Sequence, residues 1–168
     1  MKFQKWTLYY QIKKKIKKIK GVILTGSELR IREKQDLKKI VDNILPIIEL
    51  NVPILGICFG FQLLCIIYQS TFQSFPNPQK GFINLKINNS KGIFKGLNPN
   101  KSYKAYVNHF DFMDKKPIIV KSICKNQDTE ITYGIQHPEK PIFGILFHPE
   151  YSKHFGMKII KNFLKICN

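Results

Sequence analysis

Arginine is nearly absent from this 168-residue chain. Of 28 basic residues only Arg30 and Arg32 are arginine, and acidic residues number 11, leaving a formal charge of +17. Arginine reads phosphate and guanine in bidentate fashion, so a basic surface built from lysine argues against specific nucleic-acid recognition. The charge alone implies weak, salt-sensitive attraction to polyanions, and the run Lys13-Lys14-Lys15-Ile16-Lys17-Lys18 reads as a solvated helix face. Long apolar runs are missing as well. No stretch approaches the ~18 consecutive apolar residues of a membrane span, and Met1-Lys2-Phe3-Gln4-Lys5 does not open a signal peptide. The four cysteines, Cys58, Cys65, Cys124 and Cys167, form no C-x-x-C pair and lack the dense spacing of a secreted disulfide scaffold. A cytoplasmic, reducing location is therefore expected. The chain also lacks a G-x-x-x-x-G-K-[ST] phosphate loop, so it is not expected to activate an acceptor with a nucleotide itself. Internal repeats, linkers and low-complexity tracts are absent.

What is present is the material of a folded core. Hydrophobic residues make up 43% of the chain, with 13 Phe and 7 Tyr, and the mean hydropathy is −0.19. That composition suits one compact unit over residues 1–168 and is wrong for a disordered basic tail. Residues 3–10 are aromatic-rich and strand-compatible, and residues 11–20 place Ile12, Ile16 and Ile19 at helical spacing. Gly21 to Thr25 reads as a strand buried on both faces, and Arg32 to Leu50 as a helix with Leu37, Ile40, Val41, Ile44 and Leu45 on one stripe and Pro46 as its kink or end. Pro53 to Ile57 is a second buried strand that runs through Cys58-Phe59-Gly60 into a helix over Phe61 to Tyr68. Pro76 and Pro78 punctuate the chain after Thr71; shorter strands are expected at 81–87, 103–107 and 118–124. Ile131 to Gln136 and Pro141 to Phe147 form a hairpin, and Gly156 to Cys167 a terminal helix. Buried strands early and a hairpin late predict an α/β fold: a three-layer, flavodoxin-like sandwich, mostly parallel, with helices on both faces and a late antiparallel hairpin. In such sheets sites form at the carboxyl ends of the strands, which here carry Gly26-Ser27, Cys58 and His148.

The densest chemical signal is Gly56-Ile57-Cys58-Phe59-Gly60, a G-x-C-x-G elbow between a buried strand and a helix. Small residues two before and two after the nucleophile permit the tight turn that exposes it above the sheet. A helix N-terminus at the same point favours a thiolate. Cys65, one heptad on, reads as a core cysteine. A thiol nucleophile needs a base and a group to orient that base, and two similar segments offer them: His137-Pro138-Glu139 and His148-Pro149-Glu150. The first lies in a hairpin turn, where polar residues and prolines serve the turn. The second follows the strand Ile142 to Phe147, so His148 emerges at a strand terminus and Pro149 stiffens its link to Glu150. The triad is therefore assigned to Cys58, His148 and Glu150, with no metal and no cofactor.

Gly56-Ile-Cys58-Phe-Gly60-Phe-Gln62-Leu-Leu64 together with Phe147-His148-Pro149-Glu150 resembles the class I glutamine amidotransferases. Within that family the likeness is to the glutaminase domain of the GMP synthase type. Gly21-Val-Ile-Leu-Thr-Gly26-Ser27 is similar to the family's G-I-I-L-S-G-G segment, Asn108-His109-Phe110-Asp111 to its S-H-x-D stretch, and Gly156 with Lys161-Asn162-Phe163-Leu164 to its ending. The resemblance implies attack of Cys58 on the side-chain amide of L-glutamine, proton transfer by His148, and a γ-glutamyl thioester that water releases. It also implies an oxyanion hole of backbone N–H groups from Phe59 and from Ser27 or Gly26, and substrate contacts from Gln62, Asn108 and His109. An ATP-dependent synthetase subunit is implied as the user of the ammonia. A γ-glutamyl peptidase or amide hydrolase with the same triad, and a non-catalytic binding subunit, are the alternatives.

Three departures from the family pattern carry expectations. Ser27 stands where the family has a second glycine and is expected to adopt positive φ at some cost. Nothing in residues 1–20 matches the family's first strand and helix, so one sheet element is expected to be missing, and the aromatic group Phe3, Trp6, Tyr9 and Tyr10 is expected either to mediate self-association or to pack onto the chain's own sheet. Phe110 occupies a position where relatives have a small residue and is expected to reshape the glutamine pocket.

Overall fold

The computed structural model describes residues 19–31 and 34–168. The strand expected at 3–10, the helix expected from 11 onward as far as residue 18, and with them the proposed association surface, lie outside the described residues. The described elements run β1 (Val22–Leu24), α1 (Lys34–Ile48), β2 (Ile54–Ile57), α2 (Phe59–Ile67), β3 (Thr71–Ile87), β4 (Ser102–Lys115), β5 (Lys121–Asn126), β6 (Thr132–Gln136), β7 (Ile142–Ile145) and α3 (Lys153–Ile166), with 3-10 turns at Gly92–Phe94 and Pro149–Tyr151.

One sheet holds all seven strands in the order β1-β2-β7-β6-β5-β3-β4. β1, β2 and β7 are mutually parallel, with Leu24 beside Gly56 and Gly56 beside Gly144. The remaining neighbours pair antiparallel, so the antiparallel part extends beyond the expected β6-β7 hairpin to β5, β3 and β4. Every residue of β2 and β7 is buried, as continuous apolar strands covered on both faces must be, whereas β1, expected to be buried in the same way, has Val22 and Leu24 half-buried and Ile23 exposed. On one face, Gly56 and Gly144 form a floor for α2. A Cβ on Gly56 would lie 2.6 Å from the Gly60 carbonyl oxygen, and one on Gly144 3.0 Å from the Phe61 ring. Phe143 points to the other face, where its ring lies against Gly92, and the Asn162 amide of α3 donates to the carbonyls of Ile93 and Lys95, both at 2.9 Å. Helices therefore cover both faces of an α/β sheet. Ile159 and Phe163 of α3 are buried in the same core as Leu55, Leu64 and Phe147.

Two expectations change. The first concerns β3, which begins at Thr71 rather than at residue 81 and pairs with β4 along most of its length. Pro76 and Pro78 lie within a register shift between Ser74 and Gln79, where a residue without an N–H removes no ladder bond. The second concerns α1, which continues through Pro46 to Ile48, and its buried stripe carries Ile44 and Ile48 while Leu45 is exposed. Pro46 removes one backbone hydrogen bond from the last turn, and the helix ends two residues beyond it. Among the described residues no helix is long and apolar enough to cross a membrane.

Candidate active site

The site assembles where β1, β2 and β7 end. β2 stops at Ile57 and α2 starts at Phe59, which forces Cys58 into φ 52° and ψ −106°, a region non-glycine residues avoid at a cost of about 1–3 kcal/mol. The flanking glycines explain why the turn closes: a Cβ on Gly60 would fall 2.1 Å from the Leu24 carbonyl oxygen at the end of β1. The elbow anticipated from G-x-C-x-G is thus a close approach of three backbones. Cys58 is 6% exposed, and its Sγ faces the Asn108 carbonyl at 3.9 Å.

Its ionisation differs from expectation. The helix N-terminus was expected to favour the thiolate, and the Phe59 N–H does pull in that direction. Burial acts more strongly, and the Glu150 carboxylate adds to it, so the thiol is pushed up to about 11. Without substrate the sulfur holds its proton at neutral pH, and reaction requires a base.

That base is available. His148 follows β7, and its N–H donates to the Tyr106 carbonyl at 2.8 Å, a single bridge that ties the end of the strand to β4. Nδ1 of His148 lies 2.7 Å from a Glu150 carboxylate oxygen. With the carboxylate accepting from Nδ1–H, Nε2 is left as the basic nitrogen. Gly26, after β1, lies between base and nucleophile: a Cβ there would meet His148 Cε1 at 3.4 Å and Cys58 Cβ at 3.6 Å. A methyl group there would only touch both side chains, whereas anything larger would fill the space between them. Gly26, Cys58, His148 and Glu150 are thus brought together, and the Phe59 N–H faces the same sulfur.

Ser27 sits in the same loop, exposed, with its hydroxyl accepting the Leu29 N–H at 3.1 Å. Its φ is not positive, which corrects the expectation of strain: the short local bond holds the loop in an ordinary conformation, and there is nothing for a glycine to relieve. His137, the rejected base, accepts the N–H groups of Glu139 and Lys140 on Nδ1 at 3.1 and 3.0 Å, so it closes the β6-β7 turn.

The three substrate-contact assignments separate. Asn108 is exposed and lines a groove of about 440 Å³ with His148, Tyr106, Tyr151, Lys80 and Phe82. Gln62 and His109 do not reach that groove. Gln62 is 5% exposed and donates to the Asp111 carbonyl at 3.3 Å, tying α2 to β4. His109, one residue beyond Asn108 on a pleated strand, points inward and is 6% exposed between Phe75 and Tyr133. Its ring nitrogens have no hydrogen-bond partner among the described residues, and burial, reinforced by nearby His148 and opposed by Asp111, pulls the imidazole down to about 4. A neutral buried histidine links stability to pH. Below the ordinary value of 6.5 the unfolded chain takes up a proton that the folded chain refuses until about pH 4, so stability is lost as pH falls through that window. Thermal unfolding followed from pH 6.5 to 4 should show a falling midpoint, and His109→Phe, which suits the aromatic surroundings, should flatten the dependence.

Sequence reasoning missed Ser152. It is 2% exposed, and its hydroxyl donates to the His148 carbonyl at 2.5 Å and accepts the Tyr106 N–H at 3.0 Å, locking the His148-Glu150 turn to β4. A serine immediately before a helix is ordinarily a cap; here the hydroxyl is turned to the active-site turn, which only the tertiary arrangement reveals.

A cysteine on a strand-to-helix elbow, near a histidine hydrogen-bonded to a carboxylate after the next strand, is the arrangement of a candidate cysteine-nucleophile site on an α/β sheet. The chain belongs to the glutamine amidotransferase class-I family, whose sequence pattern matches residues 2–167. It is 34% identical over 156 residues to GMP synthase [glutamine-hydrolyzing] of Clostridium kluyveri, a match covering 92% of this chain and 29% of that protein. The chain thus spans under a third of the length of that relative. It is also 34% identical to a shorter relative, a GMP synthase [glutamine-hydrolyzing] subunit of Pyrococcus furiosus, over 91% of this chain and 78% of the relative. Among solved structures, a Thermoplasma acidophilum protein assigned as a GMP synthase subunit superposes with a TM-score of 0.78 at 28% identity, covering 92% of this chain and 75% of that one.

Proposed function

We propose that residues 1–168 form a glutaminase unit that hydrolyses the side-chain amide of L-glutamine and delivers the ammonia to an ATP-dependent synthetase of the GMP synthase type. The observation that carries this reading is the His148-Glu150 pair facing Cys58 across Gly26. In this mechanism Nε2 of His148 takes the Cys58 proton as the sulfur attacks the amide carbon. The N–H groups of Phe59 and of Gly26 or Ser27 stabilise the oxyanion, donors worth about 3–4 kcal/mol each in the transition state. The imidazolium returns its proton to the departing nitrogen, ammonia leaves, and a γ-glutamyl thioester remains on Cys58. His148 then deprotonates a water, which attacks the thioester, and its proton returns to the sulfur as glutamate departs. Asn108 lines the groove beside His148, while Gln62 ties α2 to β4 and His109 stays buried between Phe75 and Tyr133.

The relatives support such a partner: the match covers most of a separate GMP synthase subunit and under a third of a longer GMP synthase. Incubation with L-glutamine, alone and with the synthetase unit of a GMP synthase, should release glutamate and ammonia in equal amounts, and hydroxylamine should trap the thioester as γ-glutamyl hydroxamate. Neither product under either condition would overturn the reading.

A further inference from the structure

One of the two arginines is placed where this mechanism leaves a substrate group unread. The guanidinium carbon of Arg30 lies 4.1 Å above the centroid of the Phe110 ring, and its Nε is buried without a hydrogen-bond partner among the described residues. The buried Nε is closed to a ligand, but Arg30 as a whole is only half-buried, so the group that can meet a carboxylate is the pair of terminal nitrogens, an end-on fork with the Phe110 ring beneath it.

The place of Arg30 beside β4 identifies the carboxylate. Tyr106 accepts the His148 N–H, the Asn108 carbonyl faces the Cys58 sulfur, and Phe110 carries Arg30. These are alternate residues of one strand, so each step is about 7 Å. The base, the nucleophile and the arginine thus follow one another along β4 in that order. A glutamine whose amide nitrogen leaves toward His148 directs its acyl chain the opposite way, and one such step suits the chain between the amide carbon and the α-carboxylate.

We infer that Arg30, seated on Phe110, binds the α-carboxylate of the amide substrate and makes the site selective for α-carboxylate amides over neutral or cationic ones. The inference rests on the glutaminase reading. It also gives Phe110, expected only to reshape the pocket, a defined part as the platform for the guanidinium.

The test uses the full chain, with Arg30→Met and Arg30→Lys. Initial rates give kcat and KM for L-glutamine; competition gives inhibition constants for glutaramate, which keeps the carboxylate, and 4-aminobutanamide, which lacks it. Arg30→Met should raise the KM for glutamine and the constant for glutaramate about tenfold or more, with kcat within about twofold and 4-aminobutanamide unaffected. Arg30→Lys should recover only part of the loss because an ammonium lacks the fork. Equal weakening of all three compounds would make Arg30 a merely structural residue and overturn the inference, as would an unchanged KM. Melting temperatures of the variants identify any loss from unfolding, in which case the ratio between the two analogues on the surviving fraction decides. No turnover by the wild-type chain, alone or with a synthetase unit, would overturn the glutaminase reading and this inference with it; turnover with unaltered selectivity would overturn the Arg30 assignment alone.

Discussion

Cys58→Ala is expected to abolish glutamate release and hydroxamate formation, a loss of roughly 10⁴-fold or more, because no other group in the site can form the acyl intermediate. Cys65 is fully buried beside Met113, Cys124 is fully buried within the sheet, and Cys167 packs at the far end of β1 against Gly21. A glutamine-like diazo ketone should therefore label Cys58 and spare the other three, as read by peptide mass spectrometry. A plain alkylating agent offers a complementary measurement. With the free thiol pushed up to about 11, iodoacetamide should react slowly at pH 7–8 and faster as pH rises toward that value. The glutamine mimic should label near neutrality, where its complex places His148 to take the proton. Equal labelling of all four cysteines in the folded chain would remove Cys58 from its assigned part.

The second large effect belongs to His148. His148→Ala should lower kcat by roughly 10²–10⁴-fold, the range for a lost general acid and base. His137→Ala should leave glutaminase activity within a few-fold, although it opens the β6-β7 turn by removing the acceptor for Glu139 and Lys140. A melting temperature lowered in His137→Ala but kept in His148→Ala would separate turn stability from proton transfer. The reverse pattern of activities would place the base at the opposite end of β7.

Much of this molecule was legible in the order of its residues, and the legible parts share a physical property: each is local. The elbow needs Gly56, Cys58 and Gly60 within five consecutive residues, and the turn they make is dictated by what their own backbones and the adjoining strand and helix allow. His148 and Glu150 are two residues apart, so their 2.7 Å contact is settled by one short turn after β7. The buried strands declared themselves as continuous apolar runs, which no polar face interrupts.

Tertiary structure decided what depends on partners distant in sequence. Gln62 and His109 carry polar groups that a sequence places equally well in a pocket or beneath it; the contact of α2 with β4 buries Gln62, and the face of β4 turned to the core takes His109 inward while leaving Asn108 outside. Pro76 and Pro78 suggested an interruption, yet β3 passes through them because its partner strand accommodates the bulge at that point. The charge state of Cys58 reversed for a similar reason: a helix terminus is visible in sequence, whereas the burial that outweighs it is assembled from β1, β4 and the turn after β7. The pairing of Arg30 with Phe110 spans two segments that no local rule connects. Local sterics, capping and periodicity act through neighbours along the chain, and residue order records them directly; desolvation and side-chain contact act through neighbours in space, which exist only once the sheet has closed.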